Sequence, residues 1–342
     1  MSREAILETY SKAATERDPG LCCPVDYQQE FSPEELQHIP EEVLEFNYGC
    51  GVPPELRRLE PGKSVLDLGP GLGRDCFIAA RKVGPEGQVF GLDMSDEMLQ
   101  KAERYKQTVV SRLGYDNLRF LKGQFDVQIP LEDSSIDVIF SNCVNNLALE
   151  KKTAYQEMLR ILRPGSKLSF SDIVSYEPLP AKLRVNETAW ADCVAGALCF
   201  QDLNQLLSEI GFQGVTLKTD YLWQKGTQIV ERYFPTTSLK PEELETITSV
   251  RLYSVTVEAY KPILDPNGPC YWKGHYALYD GPAKAYHLDP DPDHVFPAGV
   301  SMEVCEKTAT VLKNAPHSSY FTVFEPEGEV EARLCVPGSE CC

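Results

Sequence analysis

The stretch SVLDLGPGLGRD, residues 64–75, reads as a short apolar strand, a tight glycine turn and the first turn of a helix. Ser64–Leu68 is brief and apolar, as a strand buried on both faces is. Gly69, Gly71 and Gly73 let the backbone turn sharply and pass close to a ligand. Asp67 sits at the strand end, where open α/β sheets place their ligands. The alternation continues downstream. RDCFIAARKVG (74–84) is helical in pattern, GQVFGLDM (87–94) a strand, and SDEMLQKAERYKQTVVSRLG (95–114) a helix. LRFLKGQF (118–125) and IDVIFSNC (136–143) read as strands three and four. KKTAYQEMLRILRPG (151–165) reads as a helix closed by Pro-Gly, and SKLSFSDI (166–173) as a fifth strand. Strands alternating with helices of this length predict a doubly wound, largely parallel α/β sheet.

Outward from this block the texture changes. Residues 3–14 are helical in composition, and DPGLCCP (18–24) is a turn. Ser32 and Glu35 form a capping-box pattern. From about Val250 the stretches SVRLYSVTVEAY (249–260), CYWKGHYALYDG (270–281) and SSYFTVFEP (318–326) are β-rich. The expected organisation is an N-terminal helical and cysteine-loop segment (1–55), the α/β domain (56–245), a smaller β-rich domain (246–325) and a mobile cysteine-containing tail (326–342).

The formal charge of −18 over 342 residues argues against nucleic acid or an anionic membrane as partner. No apolar run approaches the roughly 18 residues of a spanning helix. The first twenty residues carry charges throughout and lack a signal core, so a cytoplasmic location is expected. Twelve cysteines without regular spacing point to buried thiols, soft-metal ligands or redox groups rather than a disulfide scaffold.

The LDLG segment and its turn resemble the first motif of class I S-adenosylmethionine methyltransferases. The Gly-x-Gly-x-Gly spacing departs from the Gly-x-Gly-x-x-Gly of dinucleotide folds, which weighs against a nicotinamide cofactor. The resemblance implies a Rossmann-like sheet and S-adenosylmethionine as cofactor. Asp67, Gly69, Gly71 and Gly73 would form the cradle. Asp93, with Met94 beside it, would take the ribose hydroxyls, and Asp126, with Phe125, the adenine amine. Asn142 and Cys143 would close the cofactor side at the exit of the fourth strand.

Methyl transfer to most acceptors needs a general base. None of the five histidines (His38, His275, His287, His294, His317) lies beside the fourth-strand exit. DPDPDH (289–294) lacks the glycine and distal glutamate of a calcium loop and reads as a solvated turn. Thiols stand there instead: Cys50 before the first strand, Cys143 after the fourth, and Cys193 in NETAWADCVAGALCF (186–200), which reads as helical. Trivalent arsenic is soft, binds thiolates and carries its own lone pair, so it needs no base. Each thiol read alone also fits a small buried apolar residue.

Several stretches resemble the arsenite methyltransferase family: EEVLEFNYGCGVP (41–53), LDLGPGLGRDCF (66–77), SNCVNNL (141–147), FSDIVSYEPLPAKLRVNETAWADCVAGAL (170–198), SVTVEAYK and EKTATVLKN, over roughly residues 1–325. By this resemblance Cys50 and Cys193 hold trivalent arsenic as substrate and Tyr48 lies against the cofactor. Cys22 or Cys23 has a redox or substrate-loading role, and a thiol reductant such as glutathione or thioredoxin restores the oxidation state. Two departures stand out. Pro70 replaces a small residue or thiol within the glycine turn. Gln213, in EIGFQGV, stands where the family is expected to have its third thiolate. Two thiolates would suffice for methylarsenite but not for arsenite, so a preference for methylarsenite is expected. Cys199 is expected to pack beside Phe200, and Cys341–Cys342 to be a dispensable tail pair or an arsenic-capturing one. Two alternatives remain open: a methyltransferase with another small-molecule acceptor, and a cysteine-rich arsenic- or metal-sequestering protein.

Overall fold

The protein is described from a computed structural model covering residues 3–15, 27–46, 49–235, 239–263, 270–288, 294–314, 318–326, 328 and 330–335. Cys22, Cys23, Tyr48, Cys341 and Cys342 lie outside the described residues. A seven-stranded sheet is formed by β1 (Ser64–Leu68), β2 (Gln88–Asp93), β3 (Leu118–Lys122), β4 (Ile136–Asn142), β5 (Leu162–Ser175), β6 (Gln213–Lys225) and β7 (Arg251–Tyr260), in the order 3-2-1-4-5-7-6. β1 to β5 run parallel, and β7 lies antiparallel between β5 and β6.

Strand alternation divides two cores between the faces of the sheet. Val65, Val138 and Phe140 pack with Phe77, Ile78 and Val89 on one side. Leu66, Leu68 and Ile139 pack with Met158, Phe170 and Leu207 on the other. Phe77, Phe140 and Phe170 are fully buried, and truncating any one to alanine costs about 3–5 kcal/mol. The helix Arg74–Val83 begins after Gly73, whose φ of 92° no β-carbon-bearing residue holds without strain. Helix Asp96–Leu113 is capped by the Ser95 side chain, which accepts from the Met98 amide, and stops at left-handed Gly114. The Ser32–Glu35 capping box forms as its spacing predicts.

The structure departs from the sequence expectations in four places. SVRLYSVTVEAY is the β7 strand of the main sheet, not part of the β-rich unit, because its apolar residues Val255 and Val257 complete the core under β5. The helix before β5 ends at Ile161, and Pro164-Gly165 falls inside the strand, where its register with β4 slips between Ile136 and Val138. NETAWADCVAGALCF is not one helix. Glu187–Ala191 is helical, Cys193 has a φ of 62°, and Cys199 caps the next helix, Phe200–Ile210, its sulfur accepting from the Asp202 amide. Within the expected tail, Arg333–Leu334 pairs with Tyr271–Trp272.

The remaining β-rich part holds a three-stranded antiparallel sheet in which His275–Tyr279 is flanked by Ser301–Val304 and Phe321–Phe324. Tyr279, Tyr286, Phe296 and Phe321 form its aromatic core. Among the described residues no helix is long and apolar enough to cross a membrane.

Candidate active site

A cavity opens at the carboxyl ends of β1, β2 and β4. Its floor is the glycine turn. Gly69 and Gly71 have φ of 70° and 56°. A Cβ on Gly69 would stand 2.3 Å from Val144 Cγ2, whereas one on Gly71 would meet nothing within 4 Å. Gly69 therefore serves a close approach, and Gly71 the backbone conformation that opens the cavity.

Four carboxylates line this cavity, Asp67, Asp75, Asp93 and Asp126. Burial raises the Asp93 pKa to about 6, against backbone amides of Ser95, Gly71 and Met94 that favour the charged form. Burial, with the nearby Asp75 charge, pushes the Asp67 carboxyl well above its usual range. Asp126 accepts from Arg3 Nη2 at 2.9 Å and from the amides of Leu149 and Glu150 at 2.9 and 3.3 Å, all on Oδ2. The other wall is α1 (Arg3–Thr15), which brings Arg3, Ile6 and Tyr10 to the cavity.

Cys143 lines this space, and Cys50 and Cys193 lie against Cys143 in turn. Asn142, the last residue of β4, clamps the Cys50 loop. Its Oδ1 accepts from the amides of Cys50 and Gly51 at 2.8 and 3.3 Å, and its Nδ2 donates to the Gly51 carbonyl at 2.6 Å. The fit leaves no room for side chains: a Cβ on Gly49 would fall 2.3 Å from Asn142 Nδ2, and one on Gly51 2.6 Å from Ser171 Oγ. Cys143 follows directly and forms a disulfide with Cys50, their Cα atoms 5.6 Å apart. Cys193 Sγ donates to the Cys143 carbonyl at 3.0 Å. Cys50, Cys143 and Cys193 are all buried, with Ile173, Leu183 and Val194 in one apolar cluster.

Cys143 and Cys193 hold φ of 60° and 62°, two of the three non-glycine residues with positive φ among those described. Such backbone costs about 1 kcal/mol or more per residue and concentrates at functional sites. Neighbouring groups hold it. Lys151 Nζ donates to the carbonyls of Asn145, Asn146 and Ala148 at 3.1–3.2 Å, and burial lowers its pKa to about 8. Asn146 Nδ2 donates to Asp172 Oδ1 at 2.9 Å, and burial raises the Asp172 pKa to about 6. A Cβ on Gly196 would stand 2.0 Å from the Asn146 carbonyl, so the Cys193 loop rests directly on the Cys143 loop.

The methyltransferase-domain family model matches residues 59–233, and a domain-of-unknown-function model matches 266–338. The arsenite methyltransferase of Aquipseudomonas alcaligenes is 32% identical over 341 residues, covering 94% of this chain and 93% of that protein. That of Halobacterium salinarum is 33% identical over 282 residues, covering 77% of this chain and 68% of that protein. The chain belongs to the arsenite methyltransferase family. The solved arsenic(III) S-adenosylmethionine methyltransferase of Chlamydomonas reinhardtii superposes with a TM-score of 0.59 at 28% identity, covering 93% of this chain and 99% of that one. The enzyme has the class I methyltransferase fold with smaller β-rich sheets, uses S-adenosylmethionine and methylates arsenic. The residues suit the cofactor: an open glycine cradle at Gly71 and a half-buried carboxylate, Asp93, at the end of β2 where ribose hydroxyls need an acceptor.

Of the residues that the sequence assigned to the cofactor in this enzyme, Asp67, Gly69, Gly71, Asp93, Met94, Phe125, Asp126, Asn142 and Cys143 line the cavity. Gly73 is not among the lining residues. It permits the helix start, and a Cβ there would meet Phe77 Cζ at 2.8 Å. Cys143, which the sequence placed on the cofactor side, also touches both Cys50 and Cys193. Gln213 pairs with Tyr260, which pairs with Lys167 opposite Val138. That places it three strands over and about 16 Å back along the sheet from Cys143, where a thiol could not reach the site. Sequence reading missed Arg3, Tyr10 and the Arg74–Asp75 pair. Asp75 accepts from Arg74 Nε at 3.1 Å and from the Tyr27 hydroxyl at 3.0 Å. Arg74–Asp75 directly follows the glycine turn and was visible there, but nothing local marks Arg3 or Tyr10.

Proposed function

We propose that the arsenical substrate is held by Cys50, Cys143 and Cys193, and that arsenite itself is accepted. The observation that carries this reading is that Cys50 is joined to Cys143, which lines the cofactor cavity, and that the Cys193 sulfur lies 3.0 Å from the Cys143 carbonyl. A thiol reductant such as glutathione or thioredoxin first opens the Cys50–Cys143 disulfide, taking up its own oxidised form. Each thiol then exchanges with one hydroxide of arsenite: the S–H and As–O bonds break, the S–As bond forms and water leaves. Three such exchanges match the three hydroxides, so the premise for a methylarsenite preference falls away.

S-adenosylmethionine supplies an electrophilic methyl, taken by the arsenic lone pair with release of S-adenosylhomocysteine. The chain's part is positioning and exclusion of water. Asp93 accepts from the ribose, and Asp126 Oδ1 is the oxygen left for the adenine amine. The Asn142 clamp sets the height of Cys50 against the cavity. Methylation leaves arsenic pentavalent. Cys50 and Cys143 can return two electrons by closing to the disulfide as their two As–S bonds break; water adds to arsenic with loss of a proton, leaving trivalent methylarsenic on Cys193, and the external thiol reopens the disulfide.

The test is product speciation with purified enzyme, S-adenosylmethionine and glutathione, with arsenite and methylarsenite offered separately. Cys50→Ser, Cys143→Ser and Cys193→Ser are each expected to lose arsenite methylation by a factor on the order of 10² or more. Arsenite turnover surviving all three substitutions would reject the site. Methylarsenite used much faster than arsenite by the unaltered enzyme would restore the two-thiolate reading.

A further inference from the structure

The Tyr10 hydroxyl is the α1 group that reaches the thiol site. It donates to the Ala191 carbonyl at 3.2 Å and lies 3.6 Å from Cys193 Sγ. The same helix reaches the cofactor side twice more. Arg3 binds Asp126, and the Ser11 hydroxyl donates to Glu97 Oε2 at 2.7 Å beside the Ser95 hydroxyl at 3.3 Å. Ser95 in turn gives its amide to Asp93 Oδ1 at 2.9 Å. One helix thus touches Asp126, the Ser95 neighbour of Asp93 and the Cys193 sulfur.

We propose that Tyr10 is a positioning residue for the Cys193 sulfur and that, through it, a bound arsenical locks α1 over the cofactor cavity. This rests on Cys193 being an arsenic ligand. As a thiol, Cys193 donates its proton to the Cys143 carbonyl. When Cys193 binds arsenic, that proton leaves with the departing hydroxide as water, and the sulfur can no longer donate. Its bond to the Cys143 carbonyl ends, and the phenol of Tyr10 becomes the donor facing it. Burial and the neighbouring Cys193, Asp192 and Asp172 hold the Tyr10 proton in place. The other charged groups around this sulfur are already engaged: Asp192 by Arg232 Nε and Nη2 at 2.8 and 2.6 Å, Asp172 by Asn146, and Lys151 by three carbonyls. Tyr10 is therefore the group placed to turn its one hydroxyl proton from the Ala191 carbonyl to the sulfur when the arsenical arrives.

The linkage must be reciprocal, so the arsenical tightens S-adenosylmethionine binding as much as the cofactor tightens arsenical binding. The experiment measures the dissociation constant of S-adenosylmethionine by calorimetry in reduced enzyme, with and without saturating phenylarsine oxide. Hydrogen exchange of residues 3–15 is followed under both conditions. Unaltered enzyme should bind the cofactor about tenfold tighter with the arsenical present, and α1 amides should exchange more slowly. Tyr10→Phe, which keeps the ring, should remove both effects, so that its cofactor affinity with and without the arsenical agrees within about twofold. In turnover it should raise KM for arsenite more than it lowers kcat. Coupling that is absent from the unaltered enzyme, or undiminished in Tyr10→Phe, would overturn the proposal. Cys193→Ser that still methylates arsenite at the full rate would instead remove the underlying site, a distinguishable result.

Discussion

The glycine turn carries its geometry in five consecutive residues, 69–73, whereas the thiol site takes its sulfurs from residues 50, 143 and 193. The turn is local. Its left-handed φ values follow from glycine itself and would be recognisable in an isolated strand–turn–helix unit. The thiol site is wholly tertiary. It exists because β4 ends at Asn142, which grips the Cys50 loop, and because Gly196 lets the Cys193 loop settle on Asn146. The two regions share one seam, since Val144, next to Cys143, packs against the position of a Gly69 β-carbon. Regions of such different origin should fail differently when altered, except at that seam.

Cys143→Ser gives the largest expected separation. It should abolish arsenite methylation by about 10²-fold or more, while S-adenosylmethionine affinity, read by calorimetry, changes less than about threefold. An equal loss of cofactor affinity would return Cys143 to the cofactor side and erase the contrast. Gly69→Ala tests the seam. Its φ of 70° and the 2.3 Å approach to Val144 force a shift, so both cofactor and phenylarsine oxide should bind at least about tenfold more weakly. Weakening of cofactor binding alone would show that the regions are independent even where they touch.

The next effect is one of pH. Burial raises the Asp93 pKa to about 6, so the carboxylate proposed to accept the ribose hydroxyls is ionised above that pH and protonated below it. KM for S-adenosylmethionine should therefore rise as pH falls through about 6, by up to about tenfold per unit. In Asp93→Asn that acid limb should flatten on a weaker baseline. A limb that persists unchanged in the variant would assign the titration elsewhere. The smallest effect is expected from Gln213→Cys, which should leave the arsenite and methylarsenite rates within about twofold. A clear gain in arsenite turnover would mean that this sheet end communicates with the thiol site after all.

The parallel α/β core was legible because each strand and helix announces itself within a dozen residues, by apolar runs, caps and glycines. The acids Asp67, Asp93 and Asp126 were legible for the same reason, each falling at or just past a strand end. Strand β7 was not. Its pattern is that of any β segment, and only pairing with β5 and β6 shows that it belongs to the main sheet. Cys143 was legible as a cavity residue, but its contact with Cys50 was not, because strand-exit position says nothing about which way a left-handed backbone turns the sulfur. The place of Gln213 was not legible either: a likeness of motifs carries no distance, and only the register puts it at the far end of the sheet. Tyr10 and Arg3 carried no signal, since their partners Cys193 and Asp126 lie 183 and 123 residues away.

By itself, then, the sequence determined the fold class, the glycine cradle, its acids and the family, all of which depend on interactions between near neighbours or on strings of residues in order. Only the tertiary structure decided which thiols meet, what lies across the cavity from them and which departures are harmless. Those depend on contacts between distant segments, whose geometry is set by sheet register and by the few places where glycine lets one backbone rest on another.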